Sequence, residues 1–427
     1  MATYPEDPKY DGVYKKIEDE LFLKCHHANN TEYLTFITDF SCKDYDACEC
    51  PMMSPQPDIA GTGVLVAFAL TAFFTLVSAI FCIVVGRTNQ TRRTFNPIDR
   101  YGCEWVSEPL RRFMFRRGMN PDLHSLVAYD LVNTFSDLQL VTGLAVLVAG
   151  IKELADETIS IYHFLIVTDL AWFCTNAHLL SLVVTRGFRD SVKRTHPQRC
   201  NPENTEMTAR LARALRIVLM AATFLLLQIS FWATGYEHVY SMNRMRCPMK
   251  CTLGKKKGGW PRHLMVANMT LMAYFYALQT FLSWRTGRIF WMDHIRGSLI
   301  DKQGQSINVL NPEIIFKRWT ENKFLKALRM SLLAFWYFLA SEVGNLVGLT
   351  LYFGFGVYSL LDDKRRLDPA GEHFTAHGES EIVYSQLVPI FLLIIPFMGI
   401  FESHARHSKT IKESELKEVG SCTSEGS

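Results

Sequence analysis

Residues Ala60 to Val85 read AGTGVLVAFALTAFFTLVSAIFCIVV, 26 residues without a charged side chain. At about 1.5 Å of rise per residue this stretch as a helix exceeds the ~30 Å hydrocarbon core of a bilayer. Six further apolar stretches follow: Leu131 to Ile151, Ile159 to Val184, Ile217 to Tyr236, Leu264 to Trp284, Ser331 to Leu361 and Ile382 to Phe401. Together the seven hold 165 of the 427 residues, and the loops between them carry nearly all of the charge. The expectation is an all-α polytopic membrane protein, a seven-transmembrane-helix bundle spanning residues 60–402. A formal charge of +3 excludes a basic nucleic-acid binder, so the lipid bilayer is the first partner and nucleic acid is not one.

Lys and Arg set the orientation. The first, third and fifth loops and the C-terminal tail carry 8, 8, 9 and 4 of them, against 5, 1, 7 and 3 in the N-terminal tail and the even loops. Positive charge stays in the cytosol, which predicts an outer N-terminus and a cytosolic C-terminus. Lys255, Lys256 and Lys257 in the fourth loop dissent. The cysteines overrule them, because Cys25, Cys42, Cys48, Cys50, Cys247 and Cys251 all fall on the predicted outer side, where an oxidising compartment permits disulfides. Asn29 begins an Asn-Asn-Thr glycosylation sequon on that side. Residues 1–59, with 12 acidic side chains and no apolar signal region, read as an extracytoplasmic tail, either stapled by cysteines or loose, with the first span as signal-anchor. Residues 403–427 read as a disordered cytosolic tail.

Three helices leaving the cytosol share a start signal: Asn120-Pro121-Asp122, Asn201-Pro202-Glu203 and Asn311-Pro312-Glu313. Asn caps, Pro pre-sets the first turn and the acid meets the positive end of the helix dipole. The caps precede their apolar spans by about 10 to 19 residues, so these helices extend about 15 to 28 Å below the membrane. The extensions are basic or amphipathic, with Arg210, Arg213 and Arg216 before one span and Trp319, Lys323 and Lys326 before another. Snorkelling toward anionic lipid and a docking face for a cytosolic protein partner both account for this. Arg111 to Arg117, with Phe113 and Phe115 among the arginines, reads as an interfacial lipid contact.

Polar residues inside apolar spans cost about 2.5–3.5 kcal/mol each unless paired or wetted, so they mark function. Depth counting puts Asp137 and His178 in one inner layer, and Asp169 and Glu342 in one middle layer, with Asn176 and Asn345 as neutral partners. Gly344 and Gly348 offer a close-packing surface beside Glu342, and Pro389 and Pro396 are kink positions. These polar residues fit interhelical hydrogen bonding, an ion or proton site, or a permeation path.

Absences narrow the classes. The seventh span has no Lys for a retinal Schiff base. Asp-Arg-Tyr is missing after the third span, and so are a phosphate loop and an HExxH zinc motif. No metal or cofactor is expected, and no catalytic residues stand out.

The segments Ser136 to Gly143, Ile161 to Phe164, Asp169 to Phe173 and Asn176 to Leu179 resemble those of the uncharacterised multi-span membrane proteins of filamentous fungi. The resemblance implies a fungal plasma-membrane protein with seven helices and brings no activity with it. The expected function is a receptor-like or sensor protein of unknown ligand. The alternatives are an ion- or proton-coupled transporter or channel using Asp169 and Glu342, and a membrane-embedded enzyme acting on a lipid or terpenoid.

Overall fold

A computed structural model describes residues 14–17, 20–26, 32–36, 42, 56–86, 97–195, 203–241, 244–253, 255–283, 287, 323–371 and 384–424. Asn29, Cys48, Cys50 and the Asn201 and Asn311 caps lie outside them.

The chain opens with a small antiparallel sheet of β1 (Tyr14–Ile17), β2 (Glu20–His26) and β3 (Glu32–Phe36) in the order β1-β2-β3. Tyr14 is opposite Leu23, and Phe22 is opposite Phe36. Cys25 lies in β2. The body is helical, with α1 (Pro57–Ala60), α2 (Thr62–Gly86), α3 (Pro97–Gly102), a π-helical turn (Cys103–Ser107), α4 (Glu108–Arg116), α5 (Pro121–Ala155), α6 (Ile161–Thr195) and α7 (Glu203–Ala233). Then come a 3-10 turn (Met249–Thr252), α8 (Gly259–Ser283), α9 (Lys323–Ala340), α10 (Glu342–Gly371), α11 (Tyr384–Leu392) and α12 (Ile394–Ser424).

Among the described residues six helical segments are long and apolar enough to cross a membrane: Pro57–Gly86, Pro121–Ala155, Ile161–Thr185, Ala214–Ala233, Glu342–Arg366 and Gln386–Lys409. The protein is a helical membrane protein. Helix α8, which covers the expected fifth span, is as long but carries Asn268, Thr270, Tyr274, Tyr276 and Gln279, and is not among the six.

The start signals act as local chemistry requires. The Asn120 side chain accepts the N–H groups of Asp122 (3.0 Å) and Leu123 (3.3 Å), Pro121 fills the first helical position, and α5 begins ten residues ahead of its apolar run. The Ser160 hydroxyl accepts the His163 N–H at 3.1 Å and opens α6.

Three boundaries differ from expectation. The 331–361 stretch is not one helix, because α9 stops at Ala340 and α10 starts at Glu342. Ser341 between them caps α10 by accepting the Gly344 N–H at 2.7 Å. The Asp99 carboxylate, from α3, accepts the N–H groups of Glu342 (3.0 Å) and Val343 (3.1 Å). The seventh stretch is likewise divided at Leu393. Pro396, in the first turn of α12, lacks the N–H that would bond back to Leu392, which weakens the join to α11, whereas Pro389 lies inside α11. Residues 403–424, read as disordered, continue α12 as helix.

Helix α6 is the axis. It is almost wholly buried and packs against α2, α5, α7, α8 and α10. Close approach depends on glycine: a Cβ on Gly143 of α5 would lie 2.5 Å from Cys174 Sγ, and one on Gly356 of α10 would lie 2.5 Å from the Trp172 ring. Gly348 meets Phe275 of α8, as the expected small-residue surface requires, whereas Gly344 is enclosed by its own chain at Phe338 and Ser341.

Candidate functional site

The bundle has two chemically distinct ends. At one, residues 244–253 form a cap over the α5–α6 turn. Ile161 N–H donates to Cys247 O (2.9 Å), Tyr162 N–H to Met245 O (3.0 Å) and Met249 N–H to Ile159 O (2.9 Å). Lys250 Nζ bonds Ala155 O at 3.0 Å and Glu157 at 2.8 Å, placing a cation on the negative end of α5. The Cys42–Cys251 disulfide ties the N-terminal tail to this cap, and Cys247 is also disulfide-bonded. Of the six expected cysteines, these are the ones the described residues bring into bridges.

Lys257, one of the dissenting lysines, sits at the same end over the rings of Trp232 (3.9 Å) and Tyr236 (4.7 Å). Burial there pulls its ammonium below the ordinary lysine range. Its ammonium is thus engaged by aromatic faces. Tyr240 lies between this cap and α10. Arg366 donates to its carbonyl at 3.2 Å and approaches its ring at 5.7 Å. Burial, then the Asp363 carboxyl, push the Tyr240 phenol up from its usual value.

Along α6 the polar residues meet partners different from those that depth counting assigned. Asp169 is buried against α10, with Ser359 and Asp363 as its polar neighbours. Glu342, its expected partner, opens α10 at the opposite end. The assumption of one continuous sixth span put it at mid-depth, whereas it stands at the start of the span, most of a helix length from Asp363. Asp363 escaped notice because the apolar run ends at Leu361, and the Asp-Asp-Lys-Arg-Arg that follows reads as a loop. It is in fact the last helical turns of a span that ends at Arg366.

One turn further along α6, Trp172 donates Nε1–H to Tyr352 O at 2.9 Å and stacks on the Tyr352 ring, centroids 3.9 Å apart. Asn176 donates to Leu349 O at 2.9 Å. Helix α10 is thus joined to α6 at two successive turns through backbone carbonyls of an apolar stretch, which no side-chain pattern announces. Asn345, also on α10, is buried.

His178 meets Ser136 of α5, whose hydroxyl lies 3.2 Å from His178 Nδ1 and donates to Ser181 at 2.9 Å. Asp137 does not join it. It is half exposed and pairs with Arg216 of α7. Gln139 donates to Phe68 O of α2 at 2.9 Å. Nearer the Asp99 end, Thr185 bonds Asn133 at 3.2 Å, and Asp130 accepts from Ser403 (2.7 Å) and pairs with His407 (2.9 Å) of α12. Arg111, expected at lipid, is buried and holds Val85 O and Asp122 (2.9 Å). Phe113 and Phe115 beside it are exposed.

The result is a buried polar thread on α6, made of Asp169, Trp172, Asn176 and His178 and beginning beneath the cap. The part-exposed Arg216–Asp137 pair joins α7 to α5 and stands apart from it. Among the described residues no group of three His, Cys, Asp or Glu side chains is placed to hold a metal. A Ser-His contact such as Ser136–His178 is the raw material of a nucleophile, but both side chains are sealed inside the bundle.

These features define a multi-span helical membrane protein organised around one enclosed helix. No protein-family model matches the chain, and no solved structure matches it. A 137-residue stretch, 30% of the chain, is 29% identical to the Elsinochromes biosynthesis cluster protein HP3 of Elsinoe fawcettii. The match covers 46% of that relative, just under half of its length.

Proposed function

We propose that this chain is a receptor-like sensor of the plasma membrane, with seven crossings, an outer N-terminus and a cytosolic C-terminus. Helix α8 is the additional crossing. It packs beside α7 and α6, and its Asn268, Tyr276 and Gln279 are buried in the bundle. The cap end is the outer side and the Asp99 end the cytosolic side, in keeping with the disulfides and with the arginine-rich α4. Asn29 is the proposed glycosylation site.

The observation that carries the sensor reading is the thread on α6. A disulfide-tied outer cap is hydrogen-bonded to the start of a central helix, and that helix makes polar contacts with α10 and α5 along its length, while Arg216 of α7 pairs with Asp137 of α5 toward the inner end. Anything that displaces the cap displaces the end of α6, and the inner helix ends are where a cytosolic protein partner would read the change. The adjacent Asp169 and Asp363 favour a second reading, a proton- or cation-coupled transporter, because two neighbouring buried carboxyl groups can hold one proton in common.

Proximity labelling from a tag after Ser427, with flux measured in liposomes, separates the two. The sensor reading expects Asp169→Asn to change which proteins are labelled while no flux is seen in either form. Flux that disappears in Asp169→Asn, with unchanged labelling, would replace it by the transporter. Loss of a glycan mass shift in Asn29→Gln tests the orientation.

A further inference from the structure

The Asp99 end of the bundle has a definable level. Helix α2 ends at Gly86, with Arg111 holding Val85 O, and α10 begins at Glu342, with Asp99 holding its first N–H groups. Two membrane helices, one leaving and one entering, thus stop against the segment that runs from α3 to α4. Trp105, Phe113 and Phe115 of that segment are exposed, as aromatic side chains are at a membrane–water interface.

Helix α9 joins this level at Ser341, and the join is sharply bent. In a straight helix residues six apart are separated by about 9 Å along the axis. Here a Cβ on Gly344 would collide with Phe338 O, so α9 does not continue the line of α10. Folding back through the hydrocarbon is no better. Arg329 stands twelve residues before Ser341, about 18 Å of helix, which would carry its charge past the midplane of a ~30 Å core. The main neighbours of α9 are α10 and α3, the element that holds the level. What remains for the length of α9 is the membrane surface.

Its side chains suit that place. Leu328, Leu332, Phe335 and Leu339 recur at spacings of three and four, which puts them on one face, and all four are exposed. The helix carries Lys323, Lys326 and Arg329 and no acidic residue. An apolar stripe on a helix of purely positive charge is complementary to a layer that is apolar below and anionic above.

We infer that α9 is an in-plane anchor in the headgroup layer at the Asp99 end, with its apolar stripe in the upper acyl chains and its basic residues recruiting anionic phospholipid. The anchor goes beyond the sensor reading and holds whichever leaflet that end faces. Its consequence runs through Asp99 and Ser341. Because these two fix the start of α10 beside the end of α9, the lipid layer that holds α9 also sets the height at which α10 enters the membrane.

Photocross-linking of the full-length protein in mixed phosphatidylcholine–phosphatidylserine nanodiscs tests the placement, with benzoylphenylalanine in place of Leu328 or of Leu339. Both positions are expected to capture lipid through the upper acyl carbons, about 5–10 Å below the headgroup boundary. Capture near the terminal methyl group from position 328 would mean that α9 dives into the bilayer. Capture of a second copy of the chain, or no capture of lipid from either position, would mean that the stripe faces something else. Each of these results overturns the anchor. Native mass spectrometry reads the headgroup preference. The unaltered chain is expected to retain phosphatidylserine over phosphatidylcholine, and the combined Lys323→Gln, Lys326→Gln and Arg329→Gln variant to lose that preference several-fold. An equal preference in the two forms would overturn the recruitment of anionic lipid by α9.

Discussion

Asp99 and Glu342 are 243 residues apart in sequence, yet the carboxylate of the first accepts the backbone N–H of the second at 3.0 Å and so fixes where α10 begins. The anion sits on the positive end of a 30-residue helix, and it is buried.

Asp99→Ala should therefore destabilise the protein by about 1–2 kcal/mol, the usual range for losing an N-cap acceptor. Asp99→Asn, which keeps an acceptor oxygen, should recover much of the loss. Melting curves in a fixed detergent check both. Equal midpoints for Asp99→Ala and the unaltered chain would show that Ser341 alone caps the helix.

Gly143 and Cys174 form a fitted pair. Gly143→Ala forces a Cβ to within 2.5 Å of the Cys174 sulfur, an overpacking that costs about 1–3 kcal/mol. Cys174→Ala would leave its own Cβ 2.6 Å from the new one, so only Cys174→Gly clears the space, and the double variant with it should lose less than the two single losses summed. A double-mutant cycle with additive losses would contradict the contact.

Cys251→Ser should free the N-terminal tail from the cap. Unreduced peptide mapping is expected to lose the cross-linked peptide holding Cys42 and Cys251, and Cys42 should become reactive to maleimide. The bridge closes a separation of 209 residues, and its loss should cost about 2–4 kcal/mol.

Tyr240 gives a pH signature. Burial and the neighbouring Asp363 raise its phenol above the ordinary value, so the folded chain keeps this proton at a pH where the unfolded chain has lost it. The stabilisation is complete below the unfolded value of about 10 and is lost as pH rises past it. Tyr240→Phe should flatten the alkaline fall of the melting midpoint. A fall of equal steepness in both forms would assign it to other groups.

Local signals carry much of the fold, although residues 403–424, which are helical, read as disordered. Uncharged runs place the membrane helices, and Asn120-Pro121-Asp122 places the start of α5. What escaped is set by distant partners. Ser341 looks like any small residue in an apolar run, and Asp99, brought in from α3, joins it in marking a helix boundary. Because that break was invisible, Glu342 was assigned to the middle of a helix that it in fact opens, and Asp363 was left in a loop. The residues Asp169, Asn176 and His178 were legible as buried polar positions. Their partners were not, since Tyr352 O and Leu349 O are backbone atoms that any sequence would supply.

The enclosure of α6 also constrains how the protein is made. A helix with Asp169, Asn176 and His178 and no side meant for lipid is a poor membrane resident by itself. Its enclosing partner α10 leaves the ribosome some 170 to 180 residues later, as the Asn176–Leu349 and Trp172–Tyr352 bonds record. Until then the nascent chain must shelter α6 against α2 and α5, or leave it in the care of the insertion machinery. Chains cut short before α10 should thus be recognised as unfinished and degraded, even though most of their crossings are already in place.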